Sequence, residues 1–297
     1  MSTNTTPIVN KEHLLTTNQM ASFAARGFLR FDNLIPQDIN QAVMAEIDAG
    51  TIDRPAGGSL LSECYPLPSP LGQMLRLPVV QGVIQSLVGP DPIFDHHAIH
   101  IRKPNEGHAQ GLHGDSIIDT RMHFDIQLMY FPHDVPLEMG GTLILPGSQF
   151  RRINESDIAR YQNFRGQIPM VCEAGTLLAL HHGIWHCGRR NQTDQTRYMY
   201  KVRLNPRVRQ LRLWNTDDLD AQMADDPYRR KNRQGSDEEN LYVILGRREP
   251  WFEYPTGRLE IVNRSKFWRF LSGNEEFDAQ YWLTRLENKP ENLSLAA

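Results

Sequence analysis

From residue 92 to residue 205 the chain is a succession of short apolar stretches, most of them ended by glycine or proline, and this punctuation constrains the fold more than any other feature. Ile93–Ile101, Phe124–Phe131, Gly141–Leu145, Thr176–Leu180 and Arg197–Leu204 all have the length of strands. Pro146-Gly147 and Glu173-Ala174-Gly175 supply turns between them. The last stretch alternates cleanly. Tyr198, Tyr200, Val202 and Leu204 fall on one side, and Arg197, Met199, Lys201 and Arg203 on the other, because strand side chains alternate with period two. Several short strands separated by turn residues predict a sandwich or barrel.

Helices precede this region. Thr17 to Gly27 predicts a helix ending on a glycine C-cap, and Phe28–Phe31 a short strand after it. Pro36 and Gly50 frame a second helix over Gln37–Ala49, and Pro78 and Gly89 a third over Val79–Val88. Behind the β-rich region, residues 214–240 are rich in mixed charge and poor in apolar residues, which predicts a solvated connector or lid. Phe267–Leu271 and Phe277–Leu286 predict further helices. The expected organisation is one domain over 1–297: a loose N-terminus (1–12), a helical region (13–91), the β-rich core (92–205), and a charged loop with C-terminal helices (206–297).

Composition excludes several alternatives. The net charge of -3 over 297 residues gives no basic surface for nucleic acid or an anionic membrane. No apolar run approaches the ~20 residues of a spanning helix. The N-terminus lacks the basic and apolar regions of a secretion signal. Three cysteines make no disulfide framework. The expectation is a cytoplasmic protein, with neither nucleic acid nor membrane as partner.

Inside the β-rich region, His113-Gly114-Asp115 is followed by Trp185-His186 and then by Arg197. On a strand, His113 and Asp115 would share a face, and one metal ion could take both. A histidine from a second strand, His186, would complete a face of two imidazoles and one carboxylate, leaving the open positions that suit ferrous iron in oxygenases. Read alone, the first pair is equally a solvated turn between two glycines, and His186 equally a core histidine bonded to backbone. His182, four residues before His186, has a zincin-like spacing that requires a helix, which Gly183 and the surrounding apolar strand argue against. Arg197 lies eleven residues after His186 across the polar turn Gly188–Thr196. If the polar side of its strand faces a barrel interior, its guanidinium meets the metal pocket, where a buried arginine requires an anion such as the distal carboxylate of a small diacid.

Four stretches together resemble the phytanoyl-CoA dioxygenase family, the Fe(II)/2-oxoglutarate oxygenases that include ectoine hydroxylase. LTTNQMASFAARGFLRFDNLIPQD (15–38) resembles the opening helix, strand and turn of that family, and LHGDS (112–116) its HxD element. MGGTLILPGSQF (139–150) resembles its glycine-rich turn ending in PGSH, and AGTLLALHHGIWHCGRRNQTDQTR (174–197) the element that carries the second histidine and the arginine. The resemblance runs from about residue 15 to 205. Departures are Gln149 where the family has His, Gly188 where it often has Ser, and Thr176 where Asp is usual.

The resemblance implies a mainly β fold with flanking helices, a double-stranded β-helix or jelly-roll, cupin-like barrel. It implies Fe(II) held by His113, Asp115 and His186, with 2-oxoglutarate and O2 as cosubstrates. Arg197 would pair with the far carboxylate of 2-oxoglutarate, and Gln127 or Thr142 would add a hydrogen bond. Oxidation of an unactivated C–H bond, most simply hydroxylation, would release succinate and CO2. Related halogenases carry a small residue in place of Asp115, so the carboxylate favours hydroxylation-type chemistry. Candidate substrate residues are His97, Arg102, Asp119, Arg121 and Trp185, the two arginines hinting at an anionic substrate. Two rival readings are a metal-cupin isomerase or ring-cleaving dioxygenase that does not use 2-oxoglutarate, and a non-catalytic binding protein on the same barrel.

Overall fold

The computed structural model describes residues 9–52, 54–116, 118–151, 163–224, 240–252 and 254–278. Its helices are α1 (Thr17–Arg26), α2 (Gln37–Ala49), α3 (Pro70–Leu75), α4 (Pro78–Val88), α5 (Leu219–Met223), α6 (Leu241–Gly246) and α7 (Tyr254–Ser272). Its strands are β1 (Phe28–Phe31), β2 (Ile93–Arg102), β3 (Ile126–Phe131), β4 (Thr142–Leu145), β5 (Ile168–Pro169), β6 (Thr176–His181), β7 (Trp185–Gly188) and β8 (Arg197–Asn205).

The helix ends follow their local chemistry. Thr16 caps α1 in a reciprocal capping box with Gln19, and Gly27 ends that helix in the left-handed conformation at φ 79°. Gly50 ends α2 likewise at φ 66°. Pro78 opens α4, where its missing N–H leaves no intrahelical bond unmade.

The strands form two antiparallel sheets. One has five strands in the order β1-β6-β3-β8-β2, the other three in the order β5-β4-β7. The outer face of the larger sheet, with Leu128, Tyr130, Tyr200, Val202 and Leu204, packs on Phe23 of α1, Val43 of α2, Val83 of α4 and Trp268 of α7 in one apolar core. A buried hydrogen bond of 2.6 Å from Tyr130 to Asn40 ties this face to α2. The opposite face, with Met129, Phe131, Leu178, Leu180 and Met199, meets Ile144 of the smaller sheet in a second core. This is the two-sheet architecture of a double-stranded β-helix. The polar side of β8 therefore faces between the sheets, as its alternation predicts.

The expected helix Phe267–Leu271 is the end of the longer α7. Beyond residue 278, the helix expected over Phe277–Leu286 lies outside the described residues, and so does most of the charged segment 214–240. Among the described residues no helix is long and apolar enough to cross a membrane.

Candidate metal centre

The HxD element does not sit in a regular strand, contrary to the reading that put His113 and Asp115 on one strand face. It lies in the loop between β2 and β3 and joins β7 through a single bridge. The His113 N–H donates to the His186 carbonyl at 3.0 Å, and the His186 N–H returns the bond at 2.8 Å. Gly114, next to the bridge, runs close to Gly183. A Cβ there would lie 3.1 Å from the Gly183 carbonyl oxygen, a close approach that a side chain would have to push back by a few tenths of an ångström. The bridge sets the two imidazoles side by side, tilted at 47° with ring centroids 4.6 Å apart.

Each imidazole is oriented by its own backbone. His113 Nδ1 bonds the Gly111 carbonyl at 2.8 Å, and His186 Nδ1 bonds the Ile184 carbonyl at 2.9 Å. A carbonyl only accepts, so Nδ1 carries the proton in both rings, and in the neutral form of each ring Nε2 is left with the lone pair. Those lone pairs face Asp115. Nε2 of His113 is 3.6 Å from Oδ1, and Nε2 of His186 is 3.5 Å from Oδ2. One donor atom from each of the three residues falls within 4.8 Å of the others. Neighbouring donors on an octahedral ion with bonds of about 2.1 Å are separated by roughly 3 Å, so the three donors must draw together for one ion to take them all. Two neutral imidazoles and one carboxylate with matching lone-pair directions fit a divalent iron.

The protonation states agree with ligation. Burial pushes His186 down to about 4, so it is neutral at physiological pH. Burial alone would raise the Asp115 carboxyl. The groups converging on it, His186 and Lys201 foremost, more than reverse that and hold it well below the usual carboxylate range. Lys201 was legible in the sequence only as a residue on the same side as Arg197. Here its ammonium donates to Asp115 Oδ2 at 2.6 Å. Its position two rungs from Arg197 on an alternating strand was the available signal.

The same burial makes the fold acid-sensitive. Burial lowers His181 and His182 to about 3, and His100, like His186, to about 4. Unfolded, each titrates near 6.5, so between about pH 6.5 and pH 4 the unfolded chain binds protons that the folded chain does not. Glu260, raised by burial to about 7, opposes this with one proton. The metal-free protein is therefore expected to lose stability as pH falls through that window, each net proton contributing about 1.4 kcal/mol per pH unit. Urea midpoints measured from pH 7 to pH 4.5 test this, and a flat profile would contradict the buried neutral histidines.

Arg197 is 1 % exposed and points between the sheets. Of the inward cations on β8, Lys201 has Asp115, and Arg203 has Asp125 and Asp95. Arg197 has no carboxylate within ion-pair distance among the described residues. Its Nη1 donates to the Gly140 carbonyl, and its Nε is buried with no partner. Burial, and then the charge of Arg102, pushes it down to about 10. Gln127 is fully buried on the same inner face with both amide atoms unpartnered. Thr142 faces inward opposite Gly188, its hydroxyl engaged only at 3.8 Å with Met129 Sδ. The three candidate cosubstrate residues therefore all lie buried between the sheets with hydrogen-bonding capacity unmet.

The candidate substrate residues are scattered. Trp185 alternates with His186 and faces away from the centre, against Phe164 and Trp251. His97 lies on the outer face of β2, stacked on Tyr65 with centroids 5.7 Å apart. Asp119 and Arg121 fork onto each other at 2.9 and 2.8 Å. Arg102 faces inward, opposite Arg197 in the β2–β8 register.

Comparison with known proteins adds to this geometry. A profile of the phytanoyl-CoA dioxygenase family matches residues 25–199, more than half of the chain. Comparison with curated proteins returns no match. Among solved structures, HygX from Streptomyces hygroscopicus with iron bound is similar over 66% of this chain and 88% of its own, at 15% identity and a TM-score of 0.51. The same protein crystallised with nickel, 2-oxoglutarate and hygromycin B is similar over 65% and 88%, at 14% identity and a TM-score of 0.52. EvdMO1 is similar over 64% and 50%, at 15% identity and a TM-score of 0.50. At these identities the likeness is one of fold.

Proposed function

The chain belongs to the phytanoyl-CoA dioxygenase family of non-haem Fe(II)/2-oxoglutarate-dependent oxygenases, and on that footing we propose that it hydroxylates an unactivated C–H bond of a small molecule at a centre built from His113, Asp115 and His186. The carrying observation is that two proton-free Nε2 atoms and one ionised carboxylate converge while their Nδ1 atoms are pinned by backbone.

Bound iron, with 2-oxoglutarate and O2, supplies the oxidising power for C–H cleavage, the cosubstrate leaving as succinate and CO2. His113 and His186 present Nε2 to the metal, and the Gly111 and Ile184 carbonyls fix their orientation. Asp115 supplies the third donor, while Lys201 engages one of its oxygens and so disfavours two-oxygen ligation. Arg197 pairs with the far carboxylate of 2-oxoglutarate, satisfying a charge that no carboxylate among the described residues meets within ion-pair distance. Thr142 and Gln127 offer it further hydrogen bonds. Met129, Met199 and Ile144 keep this end of the interior apolar and exclude water. Arg197 also separates this reading from its rivals, because a metal-cupin enzyme without a diacid cosubstrate, or a metal-free binding protein, has no use for a buried unpaired guanidinium.

The substrate is proposed to be a specialised metabolite met in the cytoplasm, on the precedent that HygX has been crystallised with hygromycin B. The test is turnover: the iron-loaded protein should convert 2-oxoglutarate to succinate with consumption of O2, and stoichiometrically with a product carrying one added oxygen when its substrate is supplied from a metabolite panel. Oxygen consumption that does not depend on 2-oxoglutarate would favour the metal-cupin rival.

A further inference from the structure

We propose that Arg102 is a second guanidinium for the far carboxylate of 2-oxoglutarate, seated beside Arg197 and over Gly188. This rests on the reading above that Arg197 receives that group, and it moves Arg102 from the candidate substrate residues to the cosubstrate site.

The register places it there. Arg102 and Arg197 are direct cross-strand partners on β2 and β8, so their side chains leave the same inner face of the sheet. Like charges directly opposite one another are unfavourable unless an anion lies between or beside them. The Arg102 side chain is only 13% exposed. One carboxylate attends the pair: Glu106 accepts from Arg102 Nη1 at 2.6 Å and from the Lys103 N–H at 2.9 Å. Two guanidinium charges against one carboxylate leave a single positive charge in a largely buried place. A bound carboxylate balances it.

Arg102 also has the free edge such a ligand requires. Its Nη1 is committed to Glu106 and, at 3.4 Å, to the His108 carbonyl. Its Nε and Nη2 make no hydrogen bond among the described residues, and both lie over Gly188. A Cβ at that position would stand 3.0 Å from Nη2 and 3.4 Å from Nε, and also 3.0 Å from the Gln110 Oε1 that accepts from the Gly188 N–H. Gly188 follows His186 by two residues on β7 and faces Thr142, so the side-chain-free position lies one inward step from a proposed iron ligand. The missing side chain at 188 and the arginine at 102 are thus one feature: the glycine makes the room that the guanidinium fills. The Nε–Nη2 edge is the planar fork that holds a carboxylate through two parallel bonds. Asn191 fixes the surroundings by donating to the Arg102, Lys103 and Gln195 carbonyls at 3.3, 3.1 and 2.6 Å, tying the end of β2 to the turn that leads into Arg197.

The position along the sheet is the one that Arg197 occupies on the neighbouring strand. Lys201, which holds Asp115, pairs across to Ala98, and Arg102 lies four residues further along β2. That is on the order of 13 Å of strand, away from the metal and alongside Arg197.

The test is calorimetric titration of the Ni(II)-loaded full chain with 2-oxoglutarate and, separately, with pyruvate, a 2-oxo acid that lacks the far carboxylate. Arg102→Gln is expected to weaken 2-oxoglutarate by roughly 10- to 100-fold, the range for a lost hydrogen bond to a charged group, while pyruvate affinity and Ni(II) affinity stay as in the parent. Arg102→Lys should recover part of the loss, since it keeps the charge but not the fork. Gly188→Ala, which crowds the guanidinium without removing it, should reproduce the selective loss and serves if Arg102→Gln does not fold. Equal affinity of parent and Arg102→Gln for 2-oxoglutarate would overturn the proposal, and so would an equal loss for both ligands. A parent protein that binds Ni(II) but not 2-oxoglutarate would instead overturn the underlying reading of Arg197.

Discussion

Arg197→Leu will make the metal-free protein harder to unfold while removing most of its affinity for 2-oxoglutarate. The two effects have opposite signs because the arginine serves a ligand and not the fold. Its guanidinium is 1 % exposed, has no carboxylate among the described residues, and keeps one buried N–H unpartnered. Taking a charge out of water costs several kcal/mol, and here the protein returns little beyond the bond to the Gly140 carbonyl. A leucine shares the inner face of β8 with Met199, in the apolar interior, without that cost. Replacement of buried ionic groups by apolar residues of similar volume stabilises by about 1–4 kcal/mol where it is tolerated, and the gain is expected within that range by urea denaturation. Loss of one partner of a buried charge pair costs about 2–5 kcal/mol in binding, so the dissociation constant of 2-oxoglutarate should rise on the order of 100-fold or more. A less stable variant with unchanged cosubstrate affinity would mean that Arg197 is a structural cation.

Asp115→Ala gives the second large effect, and Lys201 makes it informative. Removing the carboxylate deletes one of three proposed iron donors and also strands the Lys201 ammonium, whose side chain is only 10% exposed. Breaking a buried pair on one side costs about 3–5 kcal/mol. Asp115→Ala should therefore lose both metal binding and roughly that much stability. Adding Lys201→Met removes the stranded charge, so the double variant should recover most of the stability and none of the metal affinity. Thermal denaturation and Co(II) titration read the two separately. Recovery of metal binding in the double variant would show that Asp115 is not a ligand but a partner for Lys201.

Much of this arrangement is legible in the residues, and the parts that are not have physical reasons. The alternation Arg197–Leu204 identified the inner face of β8 because one side had to be apolar enough to meet the helices and the other did not. The same period-two rule, applied to Trp185, would have turned it away from the centre once His186 was turned in. His97 could not be assigned from sequence, because β2 is an edge strand whose sides are both of mixed character and whose facing is set by its register with β8. The HxD element reads as a strand pair because its spacing suits one. It is instead a loop held by one bridge to β7, far along the chain in a pairing that no local pattern encodes, with Gly114 running close to Gly183. The Asp115–Lys201 pair spans 86 residues, and pairings of that separation follow from topology, not from local sequence.

The most direct test is anaerobic. Fe(II) added with 2-oxoglutarate should produce a visible charge-transfer band that saturates at one iron and one 2-oxoglutarate per chain and disappears in His186→Ala. A band that persists in His186→Ala, or no band in the parent protein despite bound iron, would contradict the centre described here.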